Sequence, residues 1–281
     1  MKKFFVLLLA VAAIVFTMSG CSAVVDSLKT GVSRIINGGI GEYAEEFKNI
    51  VTLSGDVIEE SIVPEDGKEI TSVVLEGVAF NAVENGTAFI RIVPSDENRV
   101  ELKYQSDLPE HGFYKIAENG EFKITAKRGT QFRTACFEVT VYSECETVNI
   151  AGGIELYMDG CSKNNLTIEI QGAVDAEING VNVSSMNIKV DGAGEFDISG
   201  KAENFSAEFN GAGELYAKEL ICKDVSVTIN GAGEAEISCT DSLNTSINGA
   251  GSLNYYGSPK VVRNNSGAAA VTQKSVNVYG K

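Results

Sequence analysis

Tryptophan is absent from the 281 residues, proline occurs four times and histidine once. The single histidine, His111, stands in "LPEHGFY" with no evident partner. A Ser-His-Asp arrangement therefore finds no support, and no zinc-ligand spacing or nucleotide-binding loop occurs. Basic residues are also few. Lys and Arg number 23 against 38 Asp and Glu, for a formal net charge of −15. Phosphate backbones are held by Lys and Arg, so this balance argues against nucleic acid as a partner. It suits cations or basic partners instead. Hydrophobic residues at 44% and charged residues at 22% are ordinary for a folded chain, and wholesale disorder is not expected.

The chain begins "MKKFFVLLLAVAAIVFTMSGC". Lys2 and Lys3 precede an apolar run, Phe4 to Phe16, of 13 residues. That is too short to cross a bilayer and reads as an export signal over residues 1–20. Its ending, "MSGC", resembles the bacterial lipobox with Met18 in place of the usual Leu. The resemblance implies cleavage before Cys21 and diacylation of its thiol. Two acyl chains anchor a protein stably to a membrane, where one would not. The expected localisation is the bacterial cell envelope, outside the cytoplasm.

Five further cysteines, Cys136, Cys145, Cys161, Cys222 and Cys239, form no CxxC pair, and their odd number forbids complete internal pairing. Cys222 and Cys239 lie one repeat apart. A disulfide between them and buried free thiols both stay open.

Residues 21–70 read as a lipidated N-terminus and tether, with Val25, Leu28, Val32 and Ile35 at helical spacing. Over 71–150 the pattern turns to strands and is expected to form an antiparallel β segment. "TAFIRIV" and "RVELKYQ" flank the polar "PSDEN", and Asn119-Gly120 marks a hairpin between "FYKIA" and "EFKITA".

Residues 151–281 are repetitive. "DGAGE" at 191–195 is followed by "NGAGE" at 210–214, "NGAGE" at 230–234 and "NGAGS" at 248–252, at spacings of 19, 20 and 18 residues. Each unit holds two short strands with apolar residues at every second position. Leu156, Ala176, Phe196, Leu215, Ala235 and Leu253 fall in one column. Ile168, Ile188, Ala207, Val227 and Thr245 fall in another. Units this short cannot supply a propeller blade. They fit one turn of an all-β, right-handed β-solenoid with 18–20-residue rungs, each burying its columns against the next. The turn glycines Gly192, Gly194, Gly211, Gly213, Gly231, Gly233, Gly249 and Gly251 are expected to be structural. The Asn-Gly pairs would supply left-handed turns, the alanine and second glycine would let adjacent turns lie close together, and Asn210, Asn230 and Asn248 would form a ladder of side-chain amides.

A carboxylate follows each turn. Glu155, Asp175, Glu195, Glu214 and Glu234 occupy one rung position, and Glu177, Asp197 and Glu236 share the same outer face two residues later. Neighbouring carboxylates about 4.8 Å apart repel by roughly 0.9 kcal/mol in water. A solvated face tolerates that cost. Ca²⁺ or a basic partner would relieve it, so these eight residues form a candidate ladder for a cation or a partner. No metal centre and no cofactor is expected beyond weak Ca²⁺ association.

The recurrent glycine turns, the leader before them and "YGSP" at 256–259 resemble the family called putative auto-transporter adhesin, head GIN domain, over roughly residues 72–275. The resemblance implies a fold similar to a β-helix, no established enzymatic activity and an adhesive role. The expectation is thus a non-catalytic envelope lipoprotein, an adhesin or structural binding module, with a protein or glycan partner. The alternatives are a β-helix polysaccharide-degrading enzyme and a Ca²⁺-binding surface protein. Lys and Arg are sparse beside the acidic columns, which disfavours the enzyme.

Overall fold

The computed structural model describes residues 49–275. Cys21, the leader and the helical pattern from Val25 to Ile35 lie outside the described residues. The chain runs through β1 (Asn49–Thr52), β2 (Val57–Ile62), β3 (Ser72–Val93), β4 (Arg99–Gln105), one 3₁₀ turn (Leu108–His111), β5 (Tyr114–Glu118), β6 (Glu121–Tyr142), β7 (Thr147–Met158), β8 (Asn165–Tyr256), β9 (Lys260–Arg263) and β10 (Ser266–Lys274). The fold is all-β. One open sheet joins the strands in the order β10-β8-β7-β3-β6-β4-β2, with β1 and β5 on β6 and β9 on β8.

Parallel pairing at the repeat length dominates the second half. β7 pairs with β8 from Thr147↔Thr167 to Met158↔Ile178. β8 pairs with β10 from Asn248↔Ser266 to Tyr256↔Lys274. β8 itself is a run of 92 residues. Side chains one repeat apart touch along it, as Asn210 and Asp191 do at 2.7 Å.

Alternation of apolar and polar residues decides which face is dry. Leu156, Ala176, Phe196, Leu215, Ala235 and Leu253 are all buried, as are Ile168, Ile188, Ala207, Val227 and Thr245. A third buried set comes from the connecting segments that the repeat alignment left unassigned: Leu166, Met186, Phe205, Val225 and Leu243. These join one continuous hydrophobic core that also takes in Phe80, Phe122, Phe132 and Phe137 from the first half.

Three expectations need correction. The segment 71–150 is only partly antiparallel. β3 runs parallel to β6 on one side and to β7 on the other. The Asn119-Gly120 hairpin does form, with φ of 55° and 81° and β5 antiparallel to β6. β4, however, does not fold back on β3. Both edges of β3 are taken, so β4 crosses to the far side of β6 and pairs antiparallel there. The sheet also starts earlier than expected. β1 and β2 lie within the stretch read as tether, β1 parallel to β6 and β2 antiparallel to β4.

The third correction concerns the turns. Asn210, Asn230 and Asn248 are not among the residues with positive φ. The following glycine carries the unusual conformation, with φ of 150° at Gly211. A Cβ there would sit 2.0 Å from the carbonyl oxygen of Gly192. Close stacking of backbones adds to the positive φ in excluding a side chain. At Gly213 the obstacle is different, because a Cβ would meet the Phe209 ring at 2.2 Å. All five described cysteines carry free thiols, so the Cys222–Cys239 bond is not formed.

Candidate functional site

Residues on either side of a buried strand position must face out, and the carboxylates do. Glu155, Asp175, Glu195 and Glu214 are half-buried and Glu234 is exposed. Glu177 and Asp197 are exposed and Glu236 half-buried. Glu155 lies beside Asp175 in the parallel register, and Tyr157 beside Glu177.

Two tyrosines are built into this face. The Tyr157 hydroxyl donates to Glu155 Oε2 at 3.0 Å, and the Tyr216 hydroxyl to Glu214 Oε2 at 2.6 Å. Burial pushes the Tyr157 phenol up to about 12, helped by the charges of Glu155, Asp175 and Glu177. Tyr216 is also raised, first by its hydrogen bond to Glu214, then by burial and by Glu214, Glu195 and Glu234. Carboxylates add to both shifts.

Arg91 meets the first end of this face. Its guanidinium lies 4.7 Å from the Tyr157 ring centroid and pairs with Asp159 at 2.8 Å. β3 precedes the repeats by more than fifty residues in sequence, so repeat alignment could not place Arg91 here. At the other end, the repeat positions after Glu234 and Glu236 hold Ser252 and Asn254. The acid therefore stops before the last strands.

A second outer column carries the amide ladder. Asn210 donates to Asp191 at 2.7 Å, Asn230 to Asn210 at 2.8 Å, Asn248 to Asn230 at 2.9 Å and the Ser266 hydroxyl to Asn248 at 2.8 Å. These bonds run along the stack and tie each turn to the one before.

Among the described residues, no group of three or more His, Cys, Asp or Glu side chains is arranged to hold a metal ion. His111 touches the Phe132 ring, centroid to centroid at 5.9 Å. A separate polar cluster pins the first strands. Lys115 donates to the Tyr104 hydroxyl at 2.9 Å and pairs with Glu60 at 2.7 Å, while Tyr104 donates to Glu60 at 2.5 Å. Burial pushes the Glu60 carboxyl up, but hydrogen bonds from Lys115 and Tyr104 outweigh it and hold it below the usual range. This cluster joins β2, β4 and β5.

Residues 79–259 match the family described as "Putative auto-transporter adhesin, head GIN domain". The chain belongs to this family. No curated protein sequence matches it. Among solved structures it is similar to a putative adhesin from Bacteroides fragilis, at 17% identity and TM-score 0.63, over 80% of this chain and 100% of that one. A putative lipid binding protein from Parabacteroides distasonis follows at 16% identity and TM-score 0.58, again over 80% and 100%. A putative adhesin from Parabacteroides merdae has 17% identity and TM-score 0.54, over 80% and 99%. Identities this low speak for the fold alone. Among the described residues no helix is long and apolar enough to cross a membrane.

Proposed function

We propose that this family member is an adhesin of the bacterial cell envelope, anchored through lipid on Cys21 and presenting the carboxylate face to a basic partner. In this reading the sheet is a right-handed β-solenoid with 18–20-residue rungs. The parallel registers and the side-chain contacts one repeat apart support it, and right-handed crossovers are the rule for parallel strands. The leader and the "MSGC" ending support export and lipidation.

One observation carries the functional reading. The outward carboxylates follow the parallel register, with Glu155 beside Asp175 and Tyr157 beside Glu177, so like charges line up along one face. A rigid scaffold with one acidic face gains on-rate and specificity for basic surfaces through its field. The role asks for no catalytic group, and the family name agrees with it.

The test is adherence of bacteria displaying the chain to a surface coated with a basic matrix protein, compared with bacteria displaying Glu195→Gln/Glu214→Gln/Glu234→Gln. The proposal expects adherence to fall in the triple variant and to weaken with salt. Equal adherence at equal surface display would overturn it.

A further inference from the structure

The first end of the sheet differs in charge from the acidic face. β1 lies along β6 with Asn49 opposite Thr130. Between β1 and the 3₁₀ turn opens a cleft of about 370 Å³, lined by Asn49, Ile50, Val51, His111, Lys127 and Thr130. None of the six is acidic, in a chain of net charge −15. Lys127 and His111 make no ion pair among the described residues, although the other lysines of β5 and β6, Lys115 and Lys123, each have a glutamate.

A second observation points into the same place. Thr130 is 1% exposed, and its hydroxyl oxygen is buried with no hydrogen-bond partner among the described residues. Buried hydroxyls are nearly always satisfied. Its neighbours in the sheet are Asn49 on one side and Val78 on the other. Ile50, 65% exposed, supplies an apolar wall.

We propose that this cleft binds a small oxyanion, a carboxylate or phosphate group, held by Lys127, His111 and the Thr130 hydroxyl. An ammonium, an imidazole, a hydroxyl and the Asn49 amide are all able to donate hydrogen bonds, and charge-assisted bonds to an oxyanion are the strong kind. The group belongs either to a soluble acid or to an anionic lipid headgroup.

His111 is the only histidine in the chain, so its imidazole gives a single reporter signal. The experiment follows that signal by NMR in the full-length chain. One arm adds acetate or inorganic phosphate to the chain in nonionic detergent. The other compares nanodiscs of phosphatidylcholine with nanodiscs containing phosphatidylglycerol. A saturable shift of the His111 signal is expected in at least one arm. A response to acetate or phosphate identifies a soluble ligand, and a response confined to phosphatidylglycerol identifies a lipid headgroup. Lys127→Gln should weaken the response about tenfold or more. Thr130→Val keeps the side-chain shape and should weaken it without unfolding the chain. No saturable shift in either arm, or equal responses in wild type and Lys127→Gln, would overturn the proposal.

Discussion

The side-chain amide of Asn230 donates to Asn210 Oδ1 at 2.8 Å, twenty residues back along the chain. Asn248 in turn donates to Asn230 Oδ1 at 2.9 Å. Each amide is both donor and acceptor, so the column has a direction and breaks on both sides when one member is lost. Asn230→Ala should destabilise the fold by about 1–2 kcal/mol, since each exposed bond is worth about 0.5–1.5 kcal/mol net. Urea unfolding of the two proteins measures it. An unchanged midpoint would mean that water replaces the ladder at no cost.

Gly211 and Gly180 both have positive φ, but only Gly211 is also pressed against a neighbouring backbone. At Gly211 a Cβ would overlap the Gly192 carbonyl at 2.0 Å, while at Gly180, with φ of 68°, nothing lies within 4 Å. Gly180→Ala should cost about 1–2 kcal/mol from its left-handed φ alone. Gly211→Ala should cost about 3 kcal/mol or more, because neighbouring strands must separate. Comparing the two unfolding curves checks the order.

Alkaline titration probes the acidic face. The folded Tyr157 phenol is raised to about 12 from its ordinary 10.0. A raised phenol favours the folded state while it stays protonated. Its contribution is complete below about pH 10 and is lost as the pH climbs through about 12. Tyr157→Phe should therefore flatten the loss of stability between these values. Glu155→Gln should bring the Tyr157 titration, followed by tyrosinate absorbance, back toward 10.

Burial holds the Cys145 and Cys222 thiols at about 12. At pH 8 only on the order of one molecule in ten thousand would carry the thiolate at either site. A thiol reagent should leave both unmodified in the folded chain and label both after denaturation. Labelling of either at the rate of a free thiol, without unfolding, would contradict the buried placement.

Much of the second half was legible because its pattern repeats. Period-two alternation named Leu156, Phe196, Ile188 and Val227 as buried, and the same alternation turned Glu155 and Asp175 outward. The amide ladder followed from Asn210, Asn230 and Asn248 sharing one position. The first half was harder to read for a physical reason. Sequence shows local hairpins such as Asn119-Gly120, but β3 sits between β6 and β7, and no local signal records that insertion. For the same reason Arg91 could not be placed against Tyr157. The cleft at Thr130 arises where β1 (Asn49–Thr52) meets the 3₁₀ turn (Leu108–His111) and β6 (Glu121–Tyr142), elements distant from β1 in sequence. The turn glycines were read in part: positive φ falls on the glycine of each Asn-Gly pair and not on the asparagine, and close approach of backbones, expected at the second glycine, holds at the first as well. Only the neighbouring backbone shows that Gly211 is needed for contact with Gly192.

The stacking of repeats is the claim on which the acidic face depends, and spin labels on Glu195→Cys/Glu214→Cys test it most directly. Cys145, Cys161, Cys222 and Cys239 are buried and resist the label, the half-buried Cys136 is replaced by Ser in every sample, and each single variant serves as control. Parallel strands about 4.8 Å apart bring the two labels into contact, so strong spin exchange and a broadened spectrum are predicted for the double variant alone. A double-variant spectrum equal to the sum of the two single-variant spectra would mean that consecutive repeats do not stack, and the carboxylate column would not exist.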